Sequence, residues 1–229
     1  MDARVWQIGI GYAGRVFIRA LPIIACLTPL IGINIAYWIG ASNDVLPSCI
    51  PYLDGCTSIS STGRYPPGDR LFRAAMLPQA AILALTWYFA ALWLKSLKPA
   101  SKAGTTVLVS GVIGALALIL YVSYLASNDP FYEVMRRYGI YFYFVGTALA
   151  QLALSLALDR SPLQRAMVWV IVTPFVLGIL NLIQKEVLGI LNSNENRIEW
   201  IASLLMQIWF VLLWVAWRKT RFNIKVRTG

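Results

Sequence analysis

Histidine is absent from this 229-residue chain. Its absence removes imidazole general bases, Ser-His and Cys-His nucleophile pairs, His-ligated zinc and His-ligated haem. Cysteine is scarce: Cys26, Cys49 and Cys56 are too few for a disulfide scaffold or a four-thiolate metal site. The residues imply no metal and no cofactor. Charge is sparse too, at 13% of the chain, against about 25% in a soluble domain. What fills the sequence instead is hydrocarbon: 59% of residues are apolar, where soluble domains carry about 45–50%. One soluble core cannot absorb that much, so the excess must face lipid. The net charge of +10 then marks cytoplasmic loops and anionic headgroups rather than nucleic acid.

A bilayer core about 30 Å thick takes roughly 20 helical residues at about 1.5 Å each. Runs of that kind occupy residues 20–39, 74–94, 105–126, 138–158, 166–183 and 200–217, with no Asp, Glu, Lys or Arg inside any of them. The expected fold is therefore all-α: a single integral membrane domain, 1–229, of six transmembrane helices. Pro22, Pro29, Pro78 and Pro174 lie inside spans, where neighbouring helices re-satisfy the freed backbone groups. Trp38, Trp87, Trp93, Trp200, Trp214 and Trp217 fall near span ends, where interfacial indoles are expected. The polar residues within spans, Asn34, Gln79, Gln151, Asn181 and Gln207, read as interhelical hydrogen-bonding groups. With no ionisable group in a span, the pattern offers no proton or sodium relay.

Charge counting orients the bundle. If the amino terminus is cytoplasmic, the inner segments hold Arg4, Arg15, Arg19, Lys95, Lys98, Lys102, Arg160, Arg165 and the tail cations Arg218, Lys219, Arg221, Lys225 and Arg227, against Asp2 and Asp159. The outer segments hold Arg64, Arg70, Arg73, Arg136, Arg137, Lys185 and Arg197, with most of the acids. The bias in Lys and Arg puts both termini in the cytoplasm. Residues 1–16 read as a short interfacial segment, since Arg15 and Arg19 interrupt any signal-peptide core. Compact loops and the absence of an Asn-x-Ser/Thr acceptor point to a bacterial inner membrane, a eukaryotic endomembrane or plasma membrane being the alternative.

The first outer loop, 40–73, is long, polar and rich in turn formers. Loops beyond about 12–15 residues usually carry function or are disordered, and Ile50, Tyr52, Leu53, Ile59, Tyr65 and Phe72 give this one the means to pack down on helix ends. Cys49 and Cys56 both fall on the oxidising side, where a disulfide is possible and two free thiols are the competing reading. The remaining outer segments add Asp129, Glu133, Arg136, Arg137, Glu195, Arg197 and Glu199. Interleaved charge of both signs suits a zwitterionic lipid headgroup, arginines taking phosphate and carboxylates taking amine. Ordinary ion pairing that folds the loops is the simpler reading of any one residue. For catalysis, Asp69, Glu133 or Glu199 are candidate acids or bases and Ser58, Ser60, Ser61 or Thr62 candidate nucleophiles. No spacing singles out a pair, and no catalytic residue is assigned.

Ser58-Ile59-Ser60-Ser61-Thr62-Gly63-Arg64-Tyr65-Pro66-Pro67, followed by Leu71-Phe72 at the second span, resembles the Frag1/DRAM/Sfk1 family. Arg137-Tyr138-Gly139 through Gln151 is similar to that family's fourth span, and Glu199-Trp200 to the pair that opens its last one. Two positions depart from the pattern. Gly68-Asp69 stands where an acidic residue follows the prolines directly, and Arg136 stands where a histidine is common. The resemblance implies lipid handling in a broad sense: members include GPI-anchor and ceramide remodelling factors, lysosomal modulators of autophagy, and plasma-membrane partners of phosphatidylinositol 4-kinase. It implies a headgroup-facing cap drawn from Ser58, Ser60, Thr62, Gly63, Arg64, Pro66, Pro67, Asp69, Arg70, Arg136, Arg137 and Glu199. The expected role is recognition or organisation of membrane lipids, with membrane lipids as partners. A lipid-remodelling acyltransferase or hydrolase, and a structural subunit bound to a partner membrane protein, are the alternatives.

Overall fold

The computed structural model describes residues 8–9, 12–127, 129–186, 194–222 and 225–226, with side chains described for 18–127, 129–184 and 194–222. Eight helices occur among them: α1 (Tyr12–Ser42), α2 (Pro51–Asp54), α3 (Ile59–Thr62), α4 (Gly68–Leu97), α5 (Ala103–Ser123), α6 (Pro130–Ala157), α7 (Pro162–Glu186) and α8 (Asn194–Lys219). Six are long and apolar enough to cross a membrane: α1 from Ile18, α4, α5, α6, α7 as far as Gln184, and α8. The six apolar runs read from sequence are these six helices, each starting or ending within a few turns of the expected limits. Much of the amino-terminal segment 1–16, the middle of the last long loop and part of the basic tail, residues 223–224 and 227–229, lie outside the described residues. What is described there shows α1 already helical from Tyr12, and Ile8–Gly9 (β1) pairing antiparallel with Lys225–Val226 (β2).

The long helices pack in a ring: α1 on α4, α4 on α5, α5 on α6, α6 on α7, α7 on α8, and α8 back on α1. Within this ring Trp87 meets Trp209 and Phe210 at 5.7 and 5.4 Å between ring centroids. The chain termini share one end of the bundle, where the Arg19 guanidinium donates to the carbonyls of Phe222 and Arg221. The loop 40–73 caps the other end, called the loop end below.

Most span-end tryptophans do not sit in a lipid–water interface. Trp87, Trp93, Trp200 and Trp217 are fully buried, while Trp38 is exposed. An indole carries a large apolar body and one N–H, so an acceptor inside the fold lets it turn inward, as for Trp93 and Trp200, while the N–H groups of Trp87 and Trp217 have no partner among the described residues. Trp93 donates to the Thr220 hydroxyl at 3.1 Å and Trp200 to the Thr57 carbonyl at 2.8 Å. The polar residues within spans divide in a similar way. Gln79 donates to the Ala25 carbonyl and joins α4 to α1, and Gln151 donates to the Met206 carbonyl and joins α6 to α8. Asn34 instead reaches into the loop, donating to the Tyr52 hydroxyl at 2.9 Å.

Candidate functional site

The loop that caps the bundle is fixed by its own chemistry. Cys49 and Cys56 form a disulfide. Beside it the Tyr37 hydroxyl, from the end of α1, donates to the Pro47 and Cys49 carbonyls and accepts from the Cys49 amide. Tyr37 and Tyr52 both meet Trp200 edge-on, with ring centroids 5.9 and 5.0 Å away. Burial pushes the Tyr52 phenol up from its ordinary value, offset in part by its hydrogen bond with Asn34. It therefore stays neutral and serves as donor and acceptor together. Trp200 holds the Thr57 carbonyl, and Asn196 donates to the Gly55 carbonyl at 3.0 Å. The first two turns of α8 thus clamp the loop from Gly55 to Thr57.

The segment after the clamp contains the motif. Ser58 caps α3, accepting from the Ser61 amide and sharing hydrogen bonds with the Ser60 and Ser61 hydroxyls at 3.0 and 2.8 Å. Thr62 is buried and donates to the Ile59 carbonyl at 2.7 Å. At Gly63 a side chain has no room, because a Cβ would stand 2.5 Å from the Phe72 ring and 2.6 Å from Leu125. Pro66-Pro67, joined by a cis bond, leads into α4. The hydroxyls of Ser58, Ser60 and Thr62 are therefore spent on the shape of the loop, and Gly63 on its close approach to α4.

The charged candidates separate. Arg70 is exposed on the first turn of α4. Arg137 is paired with Glu133 at 3.2 Å on one exposed helix face. Arg136 also reaches Glu133, at 3.5 Å, and donates to the Leu125 carbonyl at 3.3 Å. Arg64 and Asp69 are half-buried, and Arg64 Nε and Asp69 Oδ1 have no partner among the described residues. Glu199, in the second turn of α8, takes the backbone N–H groups of Ser60 and Ile59 on its carboxylate. Arg136, through its bond to the Leu125 carbonyl, and Gly63, the neighbour of Arg64, both meet the residue Leu125 just beyond α5.

A narrow cleft lies against Ile59 of the capping loop and Glu199. Glu199, Ser203 and Gln207 line it from α8, Tyr121 from α5 and Tyr143 from α6. Its apolar wall includes Ile33, Met76 and Phe144. The open space is about 20 Å³, room for roughly one water-sized group. Tyr121, Tyr143 and Gln207 are each more than nine-tenths buried. Gln207 Oε1 is buried and has no hydrogen-bond partner among the described residues. Sequence reasoning missed this stripe. A signal was present, since Glu199, Ser203 and Gln207 recur every four residues and so share one face of a helix. Tyr121 and Tyr143 gave none, because only the packing of α5 against α6 brings them together.

A family model described as the Frag1/DRAM/Sfk1/Cwh43P N-terminal domain matches residues 17–220. That span contains the capping loop, all six long helices except the start of α1, and every residue of the cleft, and the chain belongs to this family. No curated protein matches the chain, and no solved structure does.

Proposed function

We propose that this member of the Frag1/DRAM/Sfk1 family recognises or organises membrane lipids, with the loop end facing outward and both termini in the cytoplasm. The observation that carries the reading is the placement of Glu199, which holds the Ile59 and Ser60 backbone N–H groups and lines a cleft among the helices, at the bundle end where Arg136 and the Gly63-Arg64 turn both meet Leu125. Charges of both signs at a helix-bundle end, over a partly polar and partly apolar slot, match the order of groups in a lipid from headgroup to chain. Arg64 is the phosphate contact and Glu199 the contact for a headgroup donor. The orientation follows from the Lys and Arg bias, and the Cys49–Cys56 disulfide in the capping loop suits the oxidising side.

The test is native mass spectrometry with lipid analysis on gently solubilised protein. One lipid class should stay bound well above its abundance in the membrane, and Arg64→Ala and Glu199→Gln should each reduce that retention severalfold. Bulk lipid alone in the wild type, unchanged in both variants, overturns the reading. A second reading has its own observation. Only 11% of the apolar window of α7 is buried, against 44% for α1, α4, α5 and α6, which favours a partner membrane protein on that face. One protein that co-purifies reproducibly, with no lipid preference, would make the chain a subunit.

A further inference from the structure

We infer that the cleft beside Glu199 seats the ammonium tip of a lipid headgroup, selecting a primary amine over its methylated forms. The inference rests on the lipid reading above and names the headgroup class that the site reads. The lining offers acceptors. Gln207 is buried, and its Oε1 has no hydrogen-bond partner among the described residues. Glu199 holds the Ile59 and Ser60 N–H groups, which leaves lone pairs free on a carboxylate with about four acceptor sites. None of the ion pairs among the described residues includes Glu199. Buried acceptors are nearly always satisfied and buried charges are paired, so Glu199 and Gln207 together call for a donor that is also a cation. The Ser203 hydroxyl can accept as well, and the rings of Tyr121, Tyr143 and Phe144 in the wall suit a cation rather than an anion.

Size narrows the choice. The open space of about 20 Å³ takes one water-sized group. A terminal –NH3+ is of that size and carries three donors. A trimethylammonium carries the same charge, is far bulkier and has no donor, so the width of the cleft can make a distinction that charge alone cannot. The phosphate that accompanies such an amine has its own place. The Arg64 amide donates to the Ser61 carbonyl at 3.2 Å, next to the Ser60 N–H that Glu199 holds. One turn of the motif thus carries the cation for the phosphate and rests on the carboxylate for the amine. The cleft also has a floor. Gln151 donates to the Met206 carbonyl at 3.2 Å, and Trp209 donates to the Ser155 hydroxyl at 2.9 Å, so α6 and α8 are tied together beside Gln207.

The experiment reconstitutes the full-length protein with an equimolar mixture of phosphatidylethanolamine, its N-methyl and N,N-dimethyl derivatives and phosphatidylcholine, all with the same acyl chains. Native mass spectrometry reads the retained lipid. The four share phosphate, charge and chains, and differ only in donors and bulk at the tip. Retention should fall with each added methyl, reaching about tenfold between the first and the last, the worth of one charge-assisted hydrogen bond. Gln207→Leu and Glu199→Gln should each cut that ratio about threefold or more. Soluble phosphoethanolamine in large excess should leave the bound lipid in place, and displacement of the lipid by it overturns the membrane source of the amine. Equal retention of the four lipids in the wild type overturns the inference, leaves the lipid reading standing, and assigns the space to an ordered water. No retained lipid at all overturns both. Where a variant does not fold, the methyl series in the wild type carries the test, and a preference for either of the two most methylated forms overturns the inference.

Discussion

The α5–α6 pair and the α7 helix are built from the same apolar alphabet and end in opposite states. On α5 and α6, glycine falls wherever the backbones meet. A Cβ at Gly139 would lie 2.7 Å from the Tyr121 backbone nitrogen, and one at Gly146 would lie 2.7 Å from the Ser110 carbonyl oxygen. Without a hydrophobic driving force between helices in lipid, close approach through small residues is what makes a seam. The α7 helix has no such device. Its Gly178 meets nothing within 4 Å, its Pro174 sits mid-helix, and Phe175, Val176, Ile179, Leu180, Leu182 and Ile183 are exposed. A small separate cluster, Ala148, Ile171 and Met206, joins α7 to α6 and α8, and Gln164 donates to the Ser155 carbonyl of α6 at 3.1 Å. The difference teaches that similar hydropathy carries no information about packing. The cleft is lined from α1, α4, α5, α6 and α8, and the tight α5–α6 seam supplies its two tyrosines.

Gly146→Leu tests the comparison most severely. Its side chain must displace the backbone of α5, and the expected cost is about 3 kcal/mol or more, seen as a large fall in the melting temperature of the solubilised protein. A tolerated leucine would mean that α5 and α6 are not closely packed. The next effect is expected at the loop end. Cys49→Ser with Cys56→Ser releases a short closed loop and should cost about 2–3 kcal/mol, with faster proteolysis between residues 49 and 57. Unchanged proteolysis would show that Trp200 and Tyr37 hold the loop unaided. Trp200→Phe keeps most of the ring contacts and orphans the Thr57 carbonyl, for about 1 kcal/mol. The smallest effect belongs to α7. Gly178→Ala has free space around it and should leave stability unchanged or raise it by up to about 1 kcal/mol. A clear loss there would place an unseen partner against α7 and favour the subunit reading.

Six spans, their limits to within a few turns, and the long capping loop were legible in the sequence because lipid imposes a length and a polarity that each helix must satisfy alone. The Ser58–Pro67 motif, Arg64, Arg136 and Glu199 were legible as charge and loop chemistry for the same local reason. Their roles were not. That Ser58, Ser60 and Thr62 serve the loop's own turns, that Arg70 and Arg137 stand apart, and that Trp87, Trp93, Trp200 and Trp217 face inward depends on which neighbour each side chain meets. The cleft is the extreme case. Gln207 reads in sequence as one more interhelical hydrogen-bonding group, yet its Oε1 has no partner among the described residues, and Tyr121 and Tyr143 read as ordinary apolar span residues. Hydropathy is a property of a segment and can be read along the chain. A cleft lined from α5, α6 and α8 is a property of several backbones held at fixed distances, and those distances are set by glycines, ring stacking and side chains from elsewhere in the fold.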